Sequence, residues 1–277
     1  MDLKKVVFWK MSGSGNDFII INNLENDIND KLIGVDIDNI ISKVCSRRVS
    51  IGADGLVLIE KSDKHDFKWT FYNADGSKPE MCGNASRCTA RFAYLNGISG
   101  INGTFETLAG NITYKIMGDK LVKVQMTNPF DMKLDCALPL DDLKMNISSV
   151  NTGVPHAVQE VSSVEDYDVE YFGKLVRDHA MFQPEGTNVN FFSKRDQNTL
   201  RMRTFERGVE GETLACGTGA VATAIIATTK NIVYYPVYIL TSSKEILKVD
   251  KENNKYFLEG DVRIIYKGVF YKESYLY

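Results

Sequence analysis

The sequence has little from which to build a metal centre or a disulfide framework. Its 277 residues include three histidines (His65, His156, His179) and five cysteines (Cys45, Cys82, Cys88, Cys136, Cys216). No two cysteines form a CxxC pair and no histidines are paired, which argues against a structural zinc site. An odd cysteine count without a secretion signal points to thiols rather than bridges. Long apolar runs are also missing: "GAVATAIIATT", the most apolar helical stretch, falls well short of the ~20 residues that cross a bilayer. The opening "MDLKKVVFWKMSGSGNDF" has lysines but neither an apolar core nor a small-residue cleavage site, so it reads as the start of a cytoplasmic protein without membrane contact. Charge of one sign is absent too. With 33 Lys and Arg against 36 Asp and Glu, the net charge is −3; no basic field calls for nucleic acid and no acidic tail for a basic partner.

What is present is a globular composition, 44% hydrophobic and 25% charged, and enough length for one large domain or two ordinary ones. Short runs rich in Val, Ile, Phe and Tyr, ending in Asn, Asp or Gly, predict strands: "KVVFWKMSG", "DFIIINN", "GLVLIEKS", "FKWTFYNADG", "NITYKIMGD" and "KLVKVQMTN" in the first half. In the second half "HAVQEV", "NVNFFSK", "LRMRTFERG", "VYILTSS", "EILKVD" and "YFLEGDVRIIYKG" repeat the style. Predicted helices are few: "DNIISKVCSRR", "GNASRCTARFAYLNG" ended by Gly97, "VEYFGKLVRDHAM" and "GTGAVATAIIATTK".

One offset ties the halves together. Cys82 and Cys216 stand 134 positions apart, and at that spacing Met81–Ala93 overlies Ala215–Ala227 with Cys, Gly, Thr, Ala and Ala matched. The same offset lays "IGADGLVLI" from Ile51 over "EGTNVNFFS" from Glu185, and the helix before the first segment over the helix before the second. Two copies of one α/β (α+β) plan are therefore expected, with a cleft between them.

Each of the two cysteines precedes a glycine and a small-residue helix. The N–H groups and partial positive charge at a helix N-terminus favour an anion, so they lower a thiol pKa toward neutrality. The amides of Gly83 and Asn84, and of Gly217 and Thr218, can hold a carboxylate. Two thiols on opposite faces of one carbon suit inversion beside a carboxylate: one removes the proton and the other delivers one. "AVATAII" is apolar on every face, which predicts an enclosed helix. Cys45, Cys88 and Cys136 read as inert core residues.

These stretches resemble the diaminopimelate epimerase family: "SGSGNDF", "RRVSIGADGLVLIE", "FYNADGSKPEMCGNASRC", "GVPHAV", "EGTNVNF" and "RTFERGVEGETLACGTGA", in order along most of the chain. The resemblance implies two similar halves, each a β-barrel-like sheet wrapped around a central helix, with the active site in the cleft between them. Residues 1–120 plus 264–277 would carry Cys82, and residues 121–263 would carry Cys216. It implies a homodimeric isomerase of lysine and peptidoglycan precursor biosynthesis, without pyridoxal phosphate or metal, converting LL-2,6-diaminopimelate to the meso form. Carried over, Cys82 and Cys216 are the acid/base pair, and Gly83, Asn84, Gly217 and Thr218 hold the reacting carboxylate. Asn16, Asn73, Asn188 and Arg207 contact substrate, with Arg207 on the distal carboxylate, while His156 and Glu206 orient the ammonium group.

Plainer readings stand beside these. Asn73 is also a turn residue in "NADG", His156 after Pro155 also suits a strand end, and Asp54 and Asp75, each before a glycine, read as turn formers. Val154 stands where many family members have an asparagine facing the distal end, Gly55 where some carry glutamine, and Ser86 where an apolar residue is usual. Rival assignments fit less well. Proline racemases of similar architecture show histidine where this chain has Asn84. A cysteine phosphatase loop needs arginine six positions after the cysteine, where Cys88 stands. A thiol protease needs one Cys–His pair, and a binding module needs no paired thiols.

Overall fold

A computed structural model describes residues 5–32, 35–140 and 143–277. Met1–Lys4, the first part of the N-terminal reading, lie outside the described residues. The chain divides into two compact units, residues 1–124 with 261–277, and residues 125–260.

The first unit runs β1 (Val6–Gly13), β2 (Asn16–Asn22), short helices α1 (Ile28–Lys31) and α2 (Ile41–Val44), β3 (Gly55–Glu60), β4 (Phe67–Asn73), α3 (Gly83–Leu95), β5 (Asn102–Thr107), β6 (Gly110–Ile116) and β7 (Leu121–Met126), which reaches the boundary. The last strand, β17 (Arg263–Phe270), returns to pair antiparallel with β1. β2 and β3 run parallel, as do β4 and β5; the other neighbours are antiparallel. Each parallel pair requires a crossover. The first holds α1 and α2, and the second holds α3. Helix α3 packs on β1, β2, β3 and β6, so the sheet bends around it and buries ten of its thirteen residues. β6 alternates exposed and buried positions along its length, the period-2 pattern of a sheet with one face on a core. β5 was not foreseen, because "NGTFET" carries only one strongly apolar residue. The helix predicted over "DNIISKVCSRR" is a 3₁₀ turn, Ile37–Asn39, followed by the single α turn of α2.

The second unit contains β8 (Phe130–Leu140), β9 (Leu143–Asn151), β10 (Pro155–Glu160), α4 (Val169–Asp178), β11 (Asn188–Lys194), β12 (Thr199–Glu206), β13 (Gly211–Thr213), α5 (Gly217–Thr229), β14 (Val237–Leu240), β15 (Ile246–Glu252) and β16 (Lys255–Asp261). Again two parallel pairs, β10 with β11 and β12 with β14, are joined by crossovers holding α4 and α5. Helix α5 packs on β9, β10, β11, β14 and β15, and Gly217–Ala227 are buried without exception, as expected of a helix with no polar face.

The repeat extends to the helix ends. α3 and α5 start and stop at positions 134 apart. After α3, Gly97 takes φ +67° while Ile98 N–H bonds to Ala93 O. After α5, Asn231 takes φ +58° while Ile232 N–H bonds to Ala227 O. Both are left-handed caps, one built on glycine and the other on asparagine, the residue that best replaces glycine there.

Candidate active site

In the first unit Cys82 is the N-cap of α3. Its backbone is extended, and its Sγ accepts from Ala85 N–H at 3.4 Å. The helical ladder begins with Ser86 N–H on Cys82 O, so the amides of Gly83 and Asn84 point out of the helix end. A polar relay fixes what surrounds them. Buried Arg87 donates to Asn84 Oδ1 at 2.8 Å, to Ser14 Oγ at 2.8 Å and to Gly83 O at 3.2 Å. That orients the Asn84 amide, whose Nδ2 donates to Asn16 Oδ1 at 2.6 Å. Asn16 Nδ2 donates in turn to Asp54 Oδ2 at 3.0 Å, and Arg47 closes the chain on Asp54 and Asp17. Burial would raise the Asp17 carboxyl, but hydrogen bonds and charges from Arg47 and Lys10 outweigh it and hold the group below the usual range.

Asn16, Cys82, Gly83 and Asn84 thus form one cluster. Asn73 sits at the end of β4 opposite Gly55, with its side chain on Ser77 Oγ at 2.9 Å, so its turn role is occupied. Asp75 shapes the same turn through Ser77. Asp54 stands at a bend before β3 and does more than shape it. It anchors Asn16, and the offset that lays Asp54 over Asn188 was the signal for it. Gly55 leaves its strand bare because a Cβ there would meet Tyr72 O at 2.5 Å.

In the second unit Cys216 is the N-cap of α5, with Sγ 3.4 Å from Thr218 Oγ1. Thr152 Oγ1 donates to Thr218 O at 3.1 Å, tying the helix start to the loop before β10. His156 lies opposite Asn188 in the parallel β10–β11 register. The Asn188 amide donates to Pro155 O at 3.2 Å and accepts from Arg207 N–H at 2.9 Å. The Arg207 guanidinium reaches Glu185 O at 2.8 Å, and Glu206 ends β12 beside it. His156 is 1% exposed, and burial, aided by the Arg207 charge, pushes its pKa down to about 3, so the ring is neutral. Its Nδ1 lies 3.1 Å from Asn190 Nδ2. Cys216, Gly217, Thr218, His156, Asn188, Glu206 and Arg207 all belong to this unit, and the backbone and side-chain bonds above link Asn188 to Arg207 and to the β10 segment holding His156.

The two clusters place a thiol in the same setting twice, at the mouth of a buried helix whose first amides belong to small residues. A family model described as diaminopimelate epimerase matches residues 8–130 and 148–265, spans that include both thiols. The chain belongs to the diaminopimelate epimerase family. A diaminopimelate epimerase of Hydrogenobaculum sp. (strain Y04AAS1) is 45% identical over 277 residues, covering 96% of this chain and 99% of its own. One of Aquifex aeolicus is 45% identical over 269 residues, covering 94% and 96%. Among solved structures the chain is similar to a hydroxyproline epimerase from Agrobacterium vitis with bound trans-4-OH-L-proline (TM-score 0.73, 14% identity, 98% of this chain and 93% of that one). It is also similar to a PhzF-family phenazine biosynthesis protein of Bacillus anthracis (TM-score 0.71, 13% identity, 96% and 99%). At such identities these two likenesses are of fold.

Within this family setting the remaining cysteines divide. Cys45 is core, and burial pushes its thiol up to about 12. Cys88 is fully buried on α3, six positions after Cys82. Cys136 is not core: it is part-exposed on β8, a strand that "FDMKLDCALPL" did not announce. No helix among the described residues is long and apolar enough to cross a membrane. Arg87, Arg47, Asn190 and Thr152 were missed as members of the clusters.

Proposed function

We infer that the protein is an isomerase that epimerises LL-2,6-diaminopimelate to the meso form, by two-base chemistry at Cys82 and Cys216. Family membership supports the substrate and the reaction. The observation that carries the mechanism is that both cysteines cap equivalent helices at one offset in a chain of that family. In this reading one thiolate removes the α-proton from one face and the other thiol returns a proton to the opposite face; the reverse reaction exchanges the roles. The amides of Gly83, Asn84, Gly217 and Thr218 stabilise the carboxylate as negative charge develops at the α-carbon, where fixed N–H dipoles are most effective. Arg207 takes the distal carboxylate, with two hydrogen bonds available from its fork. Asn16, Asn73 and Asn188 fill the remaining polar valences of a substrate with two zwitterionic ends, since each buried group left unpaired costs about 1–3 kcal/mol. Val154 offers no side-chain hydrogen bond to the distal end, which leaves recognition there to Arg207 and backbone.

The reading carries with it a cytoplasmic homodimer working without pyridoxal phosphate or metal; light scattering checks the dimer. Incubation with LL-diaminopimelate in deuterated water tests the chemistry. Deuterium should enter at the α-carbon as the meso form appears. Labelling of proline instead would support a racemase of the proline type, which the fold neighbours keep as the second reading. No labelling of either would remove both.

A further inference from the structure

We propose that Asn190 is a positioning residue that fixes His156 as the Nε2–H tautomer, so that this ring meets the substrate as a neutral hydrogen-bond donor. The orientation of the Asn190 amide follows from its neighbours. Nδ2 lies 3.0 Å from Ala157 O, a carbonyl that only accepts, and Oδ1 accepts from Thr204 Oγ1 at 3.0 Å. A flipped amide would set oxygen against oxygen at Ala157. Nδ2 therefore also faces His156 Nδ1, at 3.1 Å, and the ring nitrogen accepts. In a neutral imidazole the proton then sits on Nε2. That N–H is buried and has no hydrogen-bond partner among the described residues. A donor so enclosed is satisfied by an acceptor brought by a ligand, since leaving it unmatched is costly.

Burial disfavours the charged ring, and the nearby Arg207 cation adds to that. The ring then offers no acceptor nitrogen to an ammonium group, because Nδ1 is taken and Nε2 carries hydrogen. Its complement on an amino acid is a carboxylate oxygen. Glu206 is left as the group of this pair able to accept from the ammonium. This assignment of the acceptor rests on the epimerase reading; the tautomer does not.

The second copy has been reshaped to admit the amide. At the offset of 134, Asn190 overlies Leu56 and Gly219 overlies Ala85. A Cβ on Gly219 would stand 2.2 Å from Asn190 Oδ1. In the first unit, the same two positions hold an apolar pair in the core, both 0% exposed.

The test is long-range ¹H–¹⁵N correlation on ¹⁵N-histidine-labelled full-length protein, with His65 and His179 as internal references. Wild type should show one ring with the Nε2–H pattern that persists, and shifts, when LL-diaminopimelate is added. Asn190→Asp supplies an acceptor to Nδ1, and should convert that ring to the Nδ1–H or doubly protonated pattern while turnover falls at least about tenfold. An Nδ1–H pattern in wild type, or an unchanged Nε2–H pattern in Asn190→Asp, overturns the proposal. Should Asn190→Asp not fold, the wild-type spectrum alone decides. An Nε2–H pattern in a protein that exchanges no α-hydrogen of diaminopimelate would overturn the epimerase reading and leave the tautomer assignment in place.

Discussion

Gly219→Ala is the most revealing single-methyl change in the molecule. The added Cβ would lie 2.2 Å from Asn190 Oδ1, and 3.2 Å from both Asn190 Cγ and Cys216 Cβ. Ordinary contact begins near 3.4 Å, so the amide oxygen must move by more than about 1 Å in a close-packed interior. Overpacking of this kind costs about 1–3 kcal/mol. The displaced amide also loses alignment with Thr204, Ala157 and His156, at about 1 kcal/mol for each bond weakened. Alanine in place of glycine in a helix returns up to about 1 kcal/mol. The net is a destabilisation of about 3–5 kcal/mol, which for a chain of this size lowers Tm by roughly 6–20 °C.

Thermal and urea unfolding followed by circular dichroism measure that loss. Gly118→Ala is the control, because nothing lies within 4 Å of its Cβ position; it should stay within about 0.5 kcal/mol of wild type. The decisive comparison is a double-mutant cycle. In an Asn190→Ala background the oxygen is gone, and Gly219→Ala should cost at least about 1 kcal/mol less than in wild type. Equal penalties in the two backgrounds would refute the claim that the glycine exists to seat Asn190.

Cys82→Ser and Cys216→Ser should each lower turnover by several powers of ten with Tm nearly unchanged; near-normal activity in either would end the two-base assignment. Asp54→Ala removes the acceptor for both Asn16 and Arg47, and about 1–2 kcal/mol of lost substrate positioning should appear as a roughly tenfold fall in kcat/KM with a smaller effect on Tm. Wild-type kinetics in that variant would detach the relay from catalysis. His156 gives a pH signature. Its native pKa is depressed from 6.5 to about 3, so between those values the unfolded chain binds a proton that the folded one does not. Stability from this group is fully present above about pH 6.5 and falls by about 1.4 kcal/mol per unit as pH drops toward 3, near 2 kcal/mol by pH 5. His156→Gln should lack that slope in urea titrations from pH 7 to 4, and identical slopes would contradict the burial of a neutral ring.

Much of this was legible in the sequence because the repeat is written in the residues that set backbone shape. Cys-Gly before a small-residue run marked both helices, Gly97 marked where one stops, and the alternating runs marked the strands around them. β5 and β8 escaped because their positions are weakly apolar and half-exposed, so no period stands out. The thiols and the asparagines beside them were visible as residue types. Their supports were not, since a supporting role depends on partners far apart in sequence: Asn16 is oriented by Arg87 through Asn84, 71 positions away by number and adjacent only once α3 docks on β1 and β2.

What the two halves share is the capping thiol, the outward amides and the buried helix. What differs is how each helix start is held. In the first unit a charged relay runs from Arg87 through Asn84 and Asn16 to Asp54 and Arg47. In the second the work falls to neutral groups, Thr152 on the helix start, Asn188 on the Arg207 backbone and Asn190 on the His156 ring. Leu56 against Asn190 and Ala85 against Gly219 show how far one copy can depart from the other inside its core, an apolar pair giving way to a buried amide seated over a glycine, while both copies keep the capping thiol.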